Sequence, residues 1–117
     1  MLEWGDDGAI ASGTKYMRPG TAAASSTEQK MRVARKSIVK SLSVRAIGAP
    51  TGIKNCVFTL RKNGVNTALT ATLTGAATTV TDIVHSVSFA LGDDVSMQFV
   101  NDVGSSLTDV VVTVEVY

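Results

Sequence analysis

The side chain with the most evident chemical potential is His85, the only histidine in the chain. As a general base it would need a nucleophile and an orienting acid, and no motif in the sequence brings a serine and an aspartate to it. A zinc site would need further His or Cys ligands, and the chain has one cysteine, Cys56. A homotrimer could place three copies of His85 on its axis, so an intersubunit metal site stays open as an alternative. Because His85 shares the alternation of Ile83 and Val87, the sequence predicts a core or interface imidazole.

Other reactive residue types have simpler structural interpretations. Cys56 lies on the same face of the predicted strand as Phe58 and Leu60, because the three residues are two positions apart. This predicts a small buried side chain and not a nucleophile. The pair Asp93 and Asp94 lies in a turn motif, where aspartate bonds its own backbone, and a calcium site there would need more oxygen ligands. The sequence contains no phosphate-binding loop and no dinucleotide fingerprint. It therefore predicts a protein that is not an enzyme and has no catalytic residue, metal site or cofactor.

The run KMRVARKSIVK, residues 30–40, is the most basic segment of the chain. A nucleic-acid site would interleave aromatic side chains for base stacking, and this run has none. We therefore expect no nucleic-acid partner and interpret the run as a solvated or subunit-facing strand pair. Its candidate docking residues are Arg32, Arg35 and Lys36.

Charge is unevenly distributed along the sequence. All eleven Lys and Arg residues lie between positions 15 and 62, whereas residues 63–117 hold six acids and neither Lys nor Arg. In one interpretation the charges form a solvated face with no role, and the two halves interleave in an antiparallel sandwich so that much of the separation disappears in space. In the other, basic early strands of one subunit meet acidic late strands of the next, and complementary potentials favour one register.

A single small domain must position these residues. A chain of 117 residues can bury one core, and a composition of 44% hydrophobic but only 5% aromatic residues predicts that this core is aliphatic. One cysteine excludes an intrachain disulfide and fits folding in a reducing compartment. No apolar run is long enough for a membrane span, and the first residues are acidic where a signal peptide would be basic. We expect synthesis in the host cytoplasm and no membrane partner.

Alternation of apolar and polar residues predicts about eight strands and no helix. The segment TLRKNGVNTALTATL, residues 59–73, indicates a hairpin, because Asn63-Gly64 is the preferred pair for a type I′ turn. A valine-rich strand over 109–117 presents alternate valines on one face. The eight predicted strands cover 15–18, 29–33, 36–47, 56–62, 67–73, 83–89, 95–100 and 109–117. Short antiparallel strands with short turns favour a two-sheet sandwich, with a jelly roll preferred over an immunoglobulin-like arrangement.

Residues 1–14 show neither helical nor strand periodicity and are rich in Gly, Ala and acids. We predict that they form an extended N-terminal arm ahead of a single β-sandwich domain over residues 15–117. Trp4 is unusual in such a segment. Either it packs back on its own sandwich, or the arm docks on a neighbouring subunit or a larger shell, with Trp4 and Ile10 as candidate docking residues.

Five segments together resemble a family of small phage virion modules, found as free-standing virion proteins and as heads of fibre proteins. They are WGDDGAIASGTKYMRPG, RVARKSIVKSLSVRA, FTLRKNGVNTALTATL, HSVSFALGDDVSMQFV and DVVVTVEVY. The resemblance covers nearly the whole chain, and NGV.TALT and LGDDVS are its most specific parts. It implies a jelly-roll sandwich that assembles as a trimer on a virion surface. Fibre members carry a repetitive shaft before this head, and the sequence has none.

The resemblance and the inert composition together favour a homotrimeric capsid decoration or head-surface protein. Its partners would be its own copies and the major capsid protein or another virion component. An alternative is the receptor-binding tip of a phage tail or head fibre, which would recognise cell-surface glycan through loops 48–55, 74–82 and 101–106. A non-viral carbohydrate- or protein-binding sandwich is a third possibility.

Overall fold

The computed structural model describes residues 1–20 and 23–117, and within these residues it contains ten β-strands and no helix. The strands are β1 (Leu2–Ala9), β2 (Gly13–Tyr16), β3 (Arg18–Pro19), β4 (Met31–Arg32), β5 (Ser37–Gly48), β6 (Asn55–Lys62), β7 (Val65–Thr74), β8 (Thr79–Phe89), β9 (Asp94–Asn101) and β10 (Thr108–Val116). They form two antiparallel sheets, so the predicted all-β sandwich is confirmed. The two strands that the sequence did not predict are β1 and β3.

The strand order is that of a jelly roll. Sheet 1 has the order β3-β1-β10-β5-β8, and sheet 2 has the order β2-β9-β6-β7, with β4 also paired to β9. The antiparallel pairs are nested along the chain: β6 with β7 is innermost, followed by β5 with β8, β2 with β9, and β1 with β10. One long ribbon therefore wraps around a shared core, as in other jelly rolls.

The β6–β7 hairpin turns at the predicted residues. Lys62 pairs with Val65, which leaves Asn63 and Gly64 as a two-residue turn. Their φ angles are 50° and 80°, and a type I′ turn requires positive φ at both central positions. Asparagine and glycine tolerate positive φ better than other residues. The two turn residues therefore fix the register in which β6 pairs with β7.

The core between the sheets is mostly aliphatic, as the composition predicts. The alternate valines of β10 face inward: Val110, Val112 and Val114 are fully buried, and Val116 packs at the edge of the core. Phe58 of β6 and Phe99 of β9 face each other within sheet 2, with ring centroids 6.2 Å apart. The largest buried side chains are Trp4, Phe58, Phe89, Phe99, Met17, Leu42, Leu60, Leu69, Leu73, Met97 and Leu107.

Apart from the chain between β3 and β4, the connections between strands lie at two opposite ends of the sandwich. At one, which we call the loop end, run the connections 10–12, 49–54, 75–78 and 102–107. At the other, the strap end, lie the Asn63-Gly64 turn, the turn over 90–93 and a segment that leads from β4 into β5. We call this segment, residues 31–36, the basic strap.

A bulge in β8 overturns the predicted orientation of Ile83 and His85. Lys40 of β5 pairs with Ser86, but Leu42 pairs with Asp82, so β8 holds three residues where β5 holds one. Ser41, the residue opposite, has a φ of 59°. The extra residues break the alternation, and Ile83 is 77% exposed while the His85 side chain is half exposed. The strand also begins earlier than predicted, at Thr79.

The predicted arm over residues 1–14 is instead part of the sandwich. Strand β1 lies inside sheet 1, where Trp4 pairs with Val112 on one side and with Pro19 on the other. Gly5 packs closely under the backbone of Gly20, and a Cβ there would collide with its carbonyl oxygen. The boundary between an arm and a domain after residue 14 is therefore wrong, because these residues supply an inner strand.

Candidate functional site

Trp4 and Ile10 lie in the core and cannot act as docking anchors. Trp4 is 0% exposed, and Ile10 is 8% exposed with its backbone N–H donating to the carbonyl of Leu107 at 3.1 Å. Of the two interpretations of Trp4, packing against its own sandwich is the one observed. Its indole Nε1 has no hydrogen-bond partner among the described residues, so its contribution comes from apolar packing.

Arg32 and Arg35, two of the predicted docking residues, border a cavity of about 300 Å³ at the strap end. The cavity lies where the two sheets separate, between the basic strap and the first or last residues of four strands. Its lining is almost wholly apolar apart from the two arginines and Ser37. The apolar lining consists of Leu2, Met31, Val33, Ala34, Val39, Val95 and Val116.

Backbone hydrogen bonds hold the basic strap in place over this cavity. Met31 pairs with Val95, the Val33 N–H donates to Asp93 at 2.8 Å, and the Gly92 N–H donates to Val33 at 2.9 Å. At the other end of the strap, the Ser37 hydroxyl donates to the carbonyl of Arg35 at 2.8 Å. The cavity is therefore framed by ordered backbone and is not a gap under a free loop.

Lys36, the third basic candidate, faces a different depression. It lies with Lys62, Phe89 and Leu91 around a shallow hollow of about 400 Å³ on the same end of the sandwich. The Lys62 ammonium donates to the Ser88 carbonyl at 2.7 Å and lies 3.4 Å from the Asp93 carboxylate. The structure thus brings Arg32 and Arg35 together but does not bring Lys36 to their cavity.

Glu28, the one acid among the basic residues, anchors an ionic cluster on the outer face of sheet 2. Its Oε2 accepts from Arg61 Nε at 2.8 Å and from the Ser96 hydroxyl at 2.6 Å. Burial by itself raises the pKa of Glu28, but these two hydrogen bonds and the Arg61 charge bring the pKa below its ordinary value of 4.5. Arg61 also donates to the carbonyl of Gly64 and lies 5.5 Å from the Tyr16 ring. The cluster ties the chain before the strap to β6 and β9.

Asp82 and His85 form the one acid–histidine pair among the described residues. Sequence alternation did not reveal this pair, because it placed His85 on the inward face with Ile83 and Val87. His85 Nδ1 lies 2.8 Å from Asp82 Oδ2. Burial tends to raise the pKa of Asp82, yet hydrogen bonds from His85 and from three backbone N–H groups leave it below its ordinary value. Those N–H groups belong to Val84, His85 and Thr70, and two of them lie in the bulge. Asp82 therefore serves as the support of the bulge.

Two further residues of reactive type, Cys56 and Asp93, have structural roles in the core and in a turn. Cys56 is fully buried, and burial raises the pKa of its thiol to about 12, which disfavours the thiolate. Asp93 accepts from the Asn63 amide at 2.9 Å and from the Ala90 N–H at 2.8 Å, as expected for turn chemistry. Within residues 1–20 and 23–117 there is no group of three or more His, Cys, Asp or Glu side chains that could hold a metal ion.

The charge separation seen along the sequence largely disappears in space. Acidic β10 lies beside basic β5, where Glu115 is opposite Lys40. Likewise Asp94 of β9 is opposite Arg32 of β4. This arrangement matches the interleaved interpretation, since each late acidic strand already has an early basic neighbour within the same subunit.

The loop end brings together the three loops that the sequence linked to receptor recognition. The Thr51 N–H donates to Gly75 at 2.6 Å, the Ser106 N–H donates to Pro50 at 2.9 Å, and the Asp102 carboxylate accepts from the Asn55 N–H at 2.8 Å. Three aliphatic side chains protrude at this end and are highly exposed: Ile47 (79%), Ile53 (88%) and Val103 (78%). The loops therefore form one continuous surface with apolar projections.

Sequence reasoning missed both the cavity and the apolar loop end. The cavity is lined by residues from opposite ends of the chain, and only the jelly-roll topology brings Leu2 and Val116 beside Val33. The loop-end residues had a local signal, because Ile53 and Val103 stand in polar turn segments where no core position is available. Exposed aliphatic residues in turns are a pointer to a contact surface when several meet.

Comparison with known proteins found no matching family model and no curated protein with significant sequence similarity. Among the described residues there is no helix that is both long and apolar enough to cross a membrane. The structure offers two candidate binding surfaces. One is the apolar cavity with an arginine rim at the strap end, and the other is the loop end with its three exposed aliphatic side chains.

Proposed function

We propose that this protein is a phage virion structural protein, a homotrimer that decorates the capsid or head surface and stabilises the shell. It would be synthesised in the host cytoplasm and act on the virion surface. The proposal rests on the resemblance of nearly the whole sequence to phage virion modules and on the jelly-roll topology that the resemblance implies.

The observation that carries the proposal is the set of exposed aliphatic side chains at the loop end. Ile47, Ile53 and Val103 are each more than three-quarters exposed in the single chain. Exposed apolar side chains grouped at one end of a domain are typical of a contact surface for another protein. The loop end therefore replaces residues 1–14 as the surface we assign to the shell contact, and the major capsid protein or another virion component is its partner.

The alternative, a receptor-binding tip of a tail or head fibre, is favoured by one observation. Loops 48–55, 74–82 and 101–106 are hydrogen-bonded into one surface, as recognition loops would be. Their described residues, however, include no aromatic side chain on which a sugar ring could stack. Aliphatic projections suit a protein partner better than a glycan, so we rank decoration above receptor binding.

The test is co-sedimentation of the purified protein with phage particles that lack it. Ile53→Lys and Val103→Lys each place a charge on the loop end, and we expect either variant to reduce attachment at least tenfold. Val65→Lys is the matched control, because Val65 is an aliphatic residue at the opposite end that is also largely exposed (66%). Its attachment should be unchanged.

The same sedimentation run gives the oligomeric state of the free protein. A trimer that attaches to particles supports the proposal in full. Trimers assemble by mass action, so the run is made over a range of protein concentrations. If the protein stays monomeric at every concentration and does not co-sediment with particles, the proposed function is overturned. Attachment to cells, lost on changes within the three loops, would support the fibre alternative instead.

A further inference from the structure

We propose that the cavity under the basic strap binds an aliphatic carboxylate, a small amphiphile with an apolar chain and one anionic head. This inference is independent of the proposed virion role, because it concerns the opposite end of the sandwich. The apolar chain would lie between the two sheets, and the carboxylate would lie at the rim beside Arg32 and Arg35.

The walls of the cavity define the apolar part of the ligand. Leu2 and Val116 come from sheet 1, Val95 comes from sheet 2, and Val33 closes the space from the strap. The volume of about 300 Å³ is at the lower limit of pockets that hold small molecules. Filling this space with a hydrocarbon chain removes apolar wall and ligand surface from water, which favours binding.

The rim defines the anionic part. Arg32 and Arg35 are both exposed at the mouth, and neither forms an ion pair with any described residue. Asp94 lies opposite Arg32 in the β4–β9 pair, but the two side chains do not form an ion pair. A guanidinium group offers forked donors that match a carboxylate. The charge of the rim therefore favours an anionic head over a neutral or cationic one.

The frame of the cavity favours binding without a large rearrangement. The strap is bonded to the turn over 90–93 through Val33, and its path into β5 is fixed at Ser37. Because this backbone is already ordered, a ligand loses little free energy to ordering the protein. Only the exposed side chains of Arg32 and Arg35 would need to change conformation to contact the carboxylate.

The experiment is isothermal titration of the full chain with decanoate, below the concentration at which decanoate aggregates. Three further probes separate the contributions of chain and charge: decanol, acetate and decyltrimethylammonium. We expect decanoate to bind at one site, decanol to bind at least tenfold more weakly, and acetate and the cation not to bind measurably. Raised salt should weaken decanoate binding, since the rim is exposed to solvent.

Two variants assign the binding to this cavity. Val33→Phe fills it and should abolish decanoate binding, whereas Arg35→Gln keeps the walls and should weaken binding about tenfold. Arg35 is exposed, so this variant retains its fold even if Val33→Phe does not. Arg45→Gln is the matched control, an exposed arginine on β5 that does not line the cavity.

The proposal is overturned if the folded chain does not bind decanoate. It is also overturned if decyltrimethylammonium binds as well as decanoate, or if Arg35→Gln and Arg45→Gln behave alike. Failure of these tests would leave the loop-end contact with the virion untouched, because that contact is tested by other residues.

Discussion

Trp4 shows how one residue can be informative and still mislead. It stands among glycines and acids, where no periodic pattern marks a strand, yet its side chain is fully buried between the sheets. Its large apolar area stabilises the part of sheet 1 in which β1 pairs with β10. The residue that looked like an external anchor is an internal one.

We expect Trp4→Ala to lower the free energy of unfolding by about 3–5 kcal/mol, because it leaves a large cavity in the core. Trp4→Phe should cost much less, since it keeps most of the apolar volume and removes an indole N–H that has no partner among the described residues. Urea unfolding followed by circular dichroism measures both, as fluorescence is lost with the only tryptophan. Equal stability of Trp4→Ala and the parent chain would contradict the burial.

Glu28 should make stability depend on pH. Its pKa in the folded chain is below the ordinary value of 4.5, so its stabilising contribution is complete above that pH and is lost as pH falls through the folded pKa. We expect Glu28→Gln to lower the free energy of unfolding at pH 7 by about 1–3 kcal/mol, because Arg61 loses a charged partner. The difference between variant and parent should shrink below about pH 4.

Glu3→Gln is the control for this measurement, because Glu3 is an exposed residue of β1 without an ion-pair partner among the described residues. Asp6, whose pKa is raised by burial and by the nearby charges of Asp7 and Asp109, acts with the opposite sign. Its folded form takes up a proton more readily, which favours folding as the pH falls. Since Asp6 titrates in both proteins, the comparison isolates Glu28. A difference that stays constant from pH 7 to 3 would contradict the assignment.

At the level of strands, Gly5 and Gly48 offer a matched pair. Both lack positive φ, so alanine is compatible with the backbone at each. A Cβ at Gly5 would collide with the backbone carbonyl of Gly20, which cannot move without the strand. A Cβ at Gly48 would collide with the Thr108 hydroxyl, a side-chain group that can rotate, and would lie 3.3 Å from the Ser106 carbonyl oxygen, a tight but smaller conflict. We expect Gly5→Ala to lower the free energy of unfolding by about 2 kcal/mol and Gly48→Ala by less than about 1 kcal/mol. Thermal unfolding of the two variants checks the order, and the reverse order would contradict it.

The strands that could be predicted are those with a local signal. The β6–β7 hairpin has alternating residues around Asn63-Gly64, and β10 has four valines in alternate positions, so burial and turn chemistry agree within a short window. Strand β1 has no such signal, because its sequence LEWGDDGA puts two glycines and two aspartates in the strand. Its pairing is decided by β10, far away in the sequence.

The candidate sites were less predictable than the strands for the same reason. Arg32 and Arg35 were identified from charge alone, and the cavity beside them depends on Leu2 and Val116, which no local pattern connects. His85 was assigned the wrong face because alternation was extended through a bulge. The bulge depends on hydrogen bonds to Asp82 from both β7 and β8, which a one-dimensional pattern does not contain.

For the whole molecule, deletion of residues 1–14 now has a different expected result. Removal of an external arm would leave a folded sandwich that no longer attaches to particles. Removal of β1 instead takes an inner strand from sheet 1 and exposes the edge of β10. We expect the truncated chain to lose its cooperative thermal unfolding transition and to elute as aggregates in gel filtration.

Glu3→Ala, an exposed change on the same strand, is the control and should behave like the parent protein. A truncated chain that is soluble, folded and as stable as the parent would show that β1 is dispensable for the fold. That result would support the prediction that residues 1–14 form an arm separate from the sandwich domain.

The nesting of the strand pairs also has a consequence for the route by which the chain folds. The hairpin of β6 and β7 closes a two-residue turn, but Gly8 and Asp109, which are hydrogen-bonded, are 101 residues apart. Such distant pairings make all-β sandwiches fold slowly, in milliseconds to seconds. Until β1 arrives, β10 is a valine-rich strand with an open edge, a surface on which two unfinished chains can join. Yield on refolding should therefore fall as the protein concentration rises, because β1 and β10 must find each other across almost the whole domain before sheet 1 is complete.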